Sequence, residues 1–171
     1  MKSVRNKTLV SFLVAGCCFG TMKHMATAQD QASPQEIAGK VHEAASVLAK
    51  SGEAGLADFD KKPGPWGWKD TYVFVVDCAK GVMAAHPKAD LIGKPLSSLK
   101  DVKGNPAFEL LCAATQNPNG VWVEYWIPKP GEKEGSRKVS YGLAVAGTSY
   151  VVGAGIFDAQ TPIAQLEKTA K

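Results

Sequence analysis

The sequence predicts an α+β domain in which one long N-terminal helix packs on an antiparallel sheet of about five strands. Three observations predict it. A capped segment with a single apolar stripe opens the domain, a short hairpin stands in the middle of the chain, and the final third is strongly strand-forming. The 171 residues have room for one domain, with no internal repeat and no low-complexity segment.

Residues 1–28 read as an export signal, leaving 29–171 as the domain. Lys2, Arg5 and Lys7 form a basic start, and an apolar run follows from Leu9 to about Phe19, too short to span a bilayer. Ala26-Thr27-Ala28 fits a signal-peptidase site, with Gln29 as the first mature residue. Val14-Ala15-Gly16-Cys17 offers a competing reading as a lipoprotein box, in which Cys17 is acylated. Both readings place the domain outside the cytoplasm, and only the second ties it to a membrane. The whole chain has 20 Lys+Arg against 16 Asp+Glu, but residues 1–28 hold four of the basic residues and no acidic one. The mature part is therefore balanced, and no basic stripe remains to favour nucleic acid.

Ser33-Pro34-Gln35-Glu36 is a capping box with proline at the first helical position. Ile37, Val41, Ala44, Ala45 and Leu48 then recur every three or four residues, which predicts a helix over 34–50. Gly52 breaks it, and Glu53 to Phe59 adds a turn or two. Asp60 to Asp70, DKKPGPWGWKD, reads as a loop whose tryptophans cover a core edge or wall a ligand site. Tyr72 to Asp77 is apolar and β-branched, Val82 to His86 is its hairpin partner, and Gly81 stands where the turn needs a positive φ. Leu91 to Asn105 is an irregular connection. It includes Asp101 to Asn105, where the residue spacing fails an EF-hand and fits an Asx turn. Pro106 opens a helical stretch in which Phe108, Leu111 and Cys112 share a face. Strands follow at Val121–Ile127, Arg137–Ala146 and Tyr150–Phe157. Cys78 and Cys112 survive a cut after Ala28. They are either bridged, closing a loop of about 34 residues, or two buried thiols.

Several stretches in order carry a resemblance: DFDKKPGPWGWKDTYVFVVD, VMAAHP, LIGKPLSSLKDVKGNPAFELL, GVWVEYWIPKPGEKEG, RKVSYG and YVVGAGIF. Together, over residues 34 to about 158, they resemble the single Cache domains, extracytoplasmic sensory modules with a PAS-like sheet behind a long helix. The resemblance implies a module that binds a small molecule, often a short organic acid or amino acid, rather than an enzyme. Such domains usually sit in chemoreceptors and sensor kinases. This chain shows neither flanking membrane helices nor a kinase or methyl-accepting part, so the expected partner is a separate membrane sensor kinase or chemoreceptor.

Candidate site residues come from strand alternation together with the resemblance. Trp122, Glu124 and Trp126 share one face of their strand, and Lys138, Ser140, Gly142 and Ala144 one face of the next. An anionic ligand needs a cation and hydroxyl or indole donors in an apolar wall. Lys138, read beside Trp126 and Tyr141, is that cation, and it falls on a lysine the family tends to carry. Arg137 is the alternative, and a solvated charge at a strand end is the plain reading of both. The family usually carries a His-Pro where His86-Pro87 stands, which implies a strand-ending role or a place on the pocket rim. Tyr72 and Trp122 complete the expected ligand-binding set. The small residues Gly142, Ala144, Gly153 and Gly155 are expected to let the alanine-rich helix approach the sheet. No HExxH, CxxC or CxxCH occurs, so neither metal nor cofactor is expected.

Three functions follow from these residues. The first is an exported sensor of a small solute, with a carboxylate favoured. The second is a partner-binding domain without a solute, using the Trp-rich loop 63–68 as its contact patch. The third, a small hydrolase or isomerase, lacks any visible catalytic set.

Overall fold

The computed structural model describes residues 31–61, 63–158 and 160–169. The signal at 1–28, the cut after Ala28 and the lipidation at Cys17 lie outside the described residues.

Helix α1 (Pro34–Ser51) begins on the capping box that the sequence shows. The Ser33 side chain accepts from the Glu36 N–H, and the Glu36 carboxylate accepts from the Ser33 N–H. Ile37, Ala38, Val41, Ala44, Ala45 and Leu48 form its buried stripe. A 3-10 helix, Gly52–Asp58, follows. The loop after it holds a short strand β1 (Gly67–Trp68), which pairs with the start of β2 (Thr71–Asp77). Sequence reading has only a loop there, because two paired residues carry no periodic signal. Trp66 is buried and stacks on Phe59 at 5.0 Å, so it covers a core edge rather than forming an exposed patch.

Strand β3 (Val82–Ala85) returns along β2, with Gly81 in the turn at φ 65°. The Asp77 carboxylate holds that turn, accepting from the Ala79 and Lys80 N–H groups and from the Ser149 hydroxyl. Two 3-10 turns lead to Asp101, whose buried carboxylate accepts from Lys103 N, Asn105 N and Nδ2, and Trp126 N. The expected Asx turn therefore also pins this connection to the sheet edge. Burial works against its ionisation, and these hydrogen bonds outweigh burial and hold its pKa below the usual carboxylate value.

Helix α2 (Ala107–Leu110) continues as a 3-10 segment, Leu111–Gln116. Strands β4 (Val121–Pro128), β5 (Gly135–Ala144) and β6 (Tyr150–Phe157) complete an antiparallel sheet of order β1-β2-β6-β5-β4, with β3 also on β2. The expected antiparallel sheet is thus present, five strands on its main path and β3 beside β2 as a sixth. A short α3 (Ile163–Leu166), absent from the sequence reading, buries Leu166 in the core.

The sheet is apolar on both faces. One face carries Val73, Val75, Val139, Tyr141, Leu143, Val152 and Ala154, and α1 packs on it. The other carries Phe74, Val76 and Val151 under Met83, Leu96 and Leu111. Cys78 and Cys112 are joined by a disulfide, which ties the end of β2 to the segment covering that second face.

The small residues take the opposite role from the expected one. A Cβ on Gly153 would meet the Phe74 ring at 2.7 Å, and one on Gly142 would meet Leu111 at 2.7 Å. They admit the second layer, not α1, because β5 alternation puts them on the face turned away from the helix.

Candidate functional site

Cross-strand register decides which side chains meet. Lys138 lies opposite Tyr125 on β4 and Phe157 on β6, while Ser140 lies opposite Gly155. All of these belong to the face that α1 does not cover. Lys138 is only 4% exposed, and its ammonium rests over the Tyr72 ring at 4.7 Å and the Phe157 ring at 5.5 Å. Among the described residues it has no ion-pair or hydrogen-bond partner. Burial pushes its pKa down to about 8. The charge of Asp70 opposes that shift and Lys88 adds to it.

Two hydroxyls share this face. Tyr125 and Ser140 are both buried and hydrogen-bonded to each other at 2.8 Å. Two O–H protons meet there and only one lies between the oxygens. The second therefore has no acceptor among the described residues. Burial pushes the Tyr125 phenol up, against the Ser140 bond, and pushes the Tyr72 phenol up as well.

His86, directly after β3, is 2% exposed. Its backbone N–H donates to Asp60 Oδ1 at 3.0 Å, and its Nδ1 accepts from the Lys88 N–H at 2.8 Å. A neutral ring in that arrangement carries its proton on Nε2. The ring stands edge-on to Tyr72 at 5.0 Å and tilted to Phe74 at 6.1 Å. Phe108 of α2 packs on the same face, 5.4 Å from Phe74 and 5.8 Å from Tyr125. His86 thus ends its strand and stands beside Tyr72 at once.

Of the residues expected from sequence, the structure brings Lys138, Tyr72 and His86 together. Trp122 and Tyr141 meet each other at 5.3 Å on the α1 face, where the Tyr141 hydroxyl donates to the Asn119 carbonyl. Lys138 and Tyr141 are three residues apart on one strand, so the pleat sends them to opposite faces. Trp126 pairs with Arg137 rather than Lys138 and lies half-buried under the Lys103 ammonium. Arg137 is engaged by Glu124, the Asp158 carbonyl and the Thr161 carbonyl, so it closes the C-terminal turn instead of serving the site. Tyr125, Ser140, Phe74, Phe108 and Phe157 were missed. The period-two rule applied from Lys138 reaches Ser140, but the other four need the register and the layer above the sheet.

Among the described residues no group of three or more His, Cys, Asp or Glu could hold a metal ion. No helix there is long and apolar enough to cross a membrane.

A family model described as Cache domain matches residues 66–161. No curated protein matches the chain. Three solved structures share the fold. A Cache chemosensory domain studied for carboxylic acid recognition is 24% identical, with a TM-score of 0.54 over 70% of this chain and 85% of that one. A periplasmic sensor domain of a chemotaxis protein is 25% identical, with a TM-score of 0.53 over 70% of this chain and 87% of that one. A methyl-accepting chemotaxis protein from Vibrio parahaemolyticus is 22% identical, with a TM-score of 0.57 over 72% of this chain and 86% of that one.

Proposed function

The chain belongs to the Cache domain family, and from that premise we propose that it is an extracytoplasmic sensory module for a short carboxylate. The observation that carries this reading is the Lys138 side chain, only 4% exposed, whose ammonium lies between two aromatic rings without an ion-pair or hydrogen-bond partner among the described residues. A buried charge without a counter-charge is costly, and a structure that keeps one has a use for it. The neighbouring groups favour an anion. The ammonium offers only donors, and the Tyr125–Ser140 pair adds one more hydroxyl proton. A carboxylate is acceptor-only, so its oxygens complement this set. The Tyr72 and Phe157 rings beside the ammonium offer apolar contact to a short ligand body. That one structural neighbour is a domain of carboxylic acid recognition supports the same reading.

The sensed solute acts through a separate membrane receptor. One neighbour is a periplasmic sensor domain of a chemotaxis protein and another is a methyl-accepting chemotaxis protein, and the Ala26-Thr27-Ala28 site supports export. Binding shifts the populations of the lobe covering the site, and the partner reads that shift.

The test is a thermal-shift screen of the protein with short carboxylates, amino acids, amines and divalent metals, using Lys138→Met as control. A carboxylate at about 100 times its dissociation constant adds roughly 2.7 kcal/mol, and the variant loses that gain. A flat response from a well-folded protein, or a carboxylate response that survives Lys138→Met, defeats the proposal.

A further inference from the structure

We infer that the cavity beside Trp122, on the sheet face that carries α1, is a second binding site, one that takes a neutral polyhydroxylated solute of about monosaccharide size. It lies across the sheet from Lys138 and does not depend on the reading of that residue.

One donor singles this place out. Trp122 is 6% exposed, and its indole N–H has no hydrogen-bond partner among the described residues. A buried indole N–H usually finds an acceptor, and one left without bears the whole cost of desolvation. Register puts Trp122 opposite Tyr141, and the two rings lie 5.3 Å apart. Both line a cavity of about 330 Å³, at the small end for ligand sites, together with Asn117, Asn119 and Glu167. The Tyr141 hydroxyl donates to the Asn119 carbonyl at 2.7 Å, and Asn117 Oδ1 accepts from the Asn119 N–H at 3.0 Å. These two bonds seat the turn before β4 against Tyr141, yet neither reaches the indole. The Trp122 N–H is also sealed from bulk water. Its acceptor therefore arrives with a solute that enters beside Tyr141 and shifts the exposed turn at 117–119 by a small step.

The lining groups fix the chemistry of that solute. The indole N–H and the Asn117 and Asn119 amides donate, while the Glu167 carboxylate only accepts. A hydroxyl does both, so a polyol answers the donors and the acceptor alike. A protonated amine offers donors alone and leaves the indole unanswered. A carboxylate meets Glu167 as a like charge. Among the described residues that line the cavity none is Lys, Arg or His, so no cation there draws an anion in. The Trp122 and Tyr141 rings add apolar surface for the C–H side of a sugar ring.

The chain has four tryptophans, Trp66, Trp68, Trp122 and Trp126, so its indole N–H groups give four reporters in proton–nitrogen NMR. The experiment titrates the full chain with D-glucose, myo-inositol and glycerol, with propionate as the charged control. Trp122→Phe assigns the resonance and keeps an aromatic ring without the N–H. The expected result is a saturable shift confined to the Trp122 indole with glucose or inositol. Calorimetry should show about a three- to tenfold loss of that affinity in Trp122→Phe. Should that variant not fold, Glu167→Gln takes its place with sequential assignment of the indoles, and affinity falls by about the same factor as the charged acceptor is lost. No saturable shift with any of the polyols overturns the inference. A shift spread over all four indoles, or an affinity unchanged in the variant used, also overturns it. A Trp122 shift with propionate and not with the polyols overturns it in favour of an anionic ligand on this face.

Discussion

Lys138 is held with a depressed pKa, and that has a sign. Its amine titrates at about 8 in the fold, against 10.5 for an ordinary lysine. Between those values the unfolded chain binds more protons than the folded one, so stability rises with pH across that window. Below about 8 the folded state bears the whole cost of the buried charge. Lys138→Met should therefore stabilise the ligand-free protein at neutral pH by on the order of 3 kcal/mol and flatten the rise. Urea unfolding at pH 7 and at pH 9.5 measures both. On the proposed reading, carboxylate affinity should run the other way, highest below pH 8 and falling as the ammonium is lost, which calorimetry across pH checks. Lys138 could be picked from the sequence because it is one of two neighbouring cations in an otherwise apolar strand and falls on a lysine that the family resemblance implies. Its companions could not, since Tyr141 and Trp126 look equally near in sequence and only the pleat and the β4–β5 register separate them.

The elements differ in how local their causes are. Helix α1 is readable residue by residue: Ser33 and Glu36 start it, an apolar stripe orients it, and Gly52 stops it. Strands β4 and β6 follow from runs of β-branched and aromatic residues. Strand β1 and helix α3 have no such signal. Each is too short to form alone, and tertiary contacts hold both in place, through the Gly67–Tyr72 pairing and the burial of Leu166. The glycines of β5 and β6 show how an element's face determines the meaning of its small residues. Gly153→Ala should drive the Phe74 ring off the sheet and cost about 1–3 kcal/mol. It should also weaken carboxylate binding, because Phe74 packs against both His86 and Phe108. Chemical unfolding together with calorimetry checks the pair of effects. A variant with lost stability and intact affinity would detach Phe74 from the site.

On the scale of the whole molecule, the sheet separates two apolar layers with different duties. One supports α1. The other, built from short turns and α2, packs on the sheet face that carries Lys138 and is tied to β2 through Cys78–Cys112. The bridge closes a loop of about 34 residues, which predicts a loss of about 3–4 kcal/mol on its removal. Cys78→Ala/Cys112→Ala should lose that stability in thermal unfolding. Hydrogen exchange should rise chiefly at 106–116, with α1 little changed. Equal loosening of α1 would mean that the two layers are not separate cooperative units.

The sequence by itself determined the α+β class, the order of α1 and the five longer strands, the export signal as an expectation, and the family resemblance. Each of these rests on spacing, capping and side-chain type within a few residues of chain. Only the tertiary structure decided which aromatic rings enclose Lys138, that the two cysteines meet, and that Arg137 serves a turn rather than a ligand. Those outcomes depend on strand register and on which layer covers which face. A single-residue shift in pairing sends every side chain of a strand to the other side, and local sequence does not encode the partner that pins it.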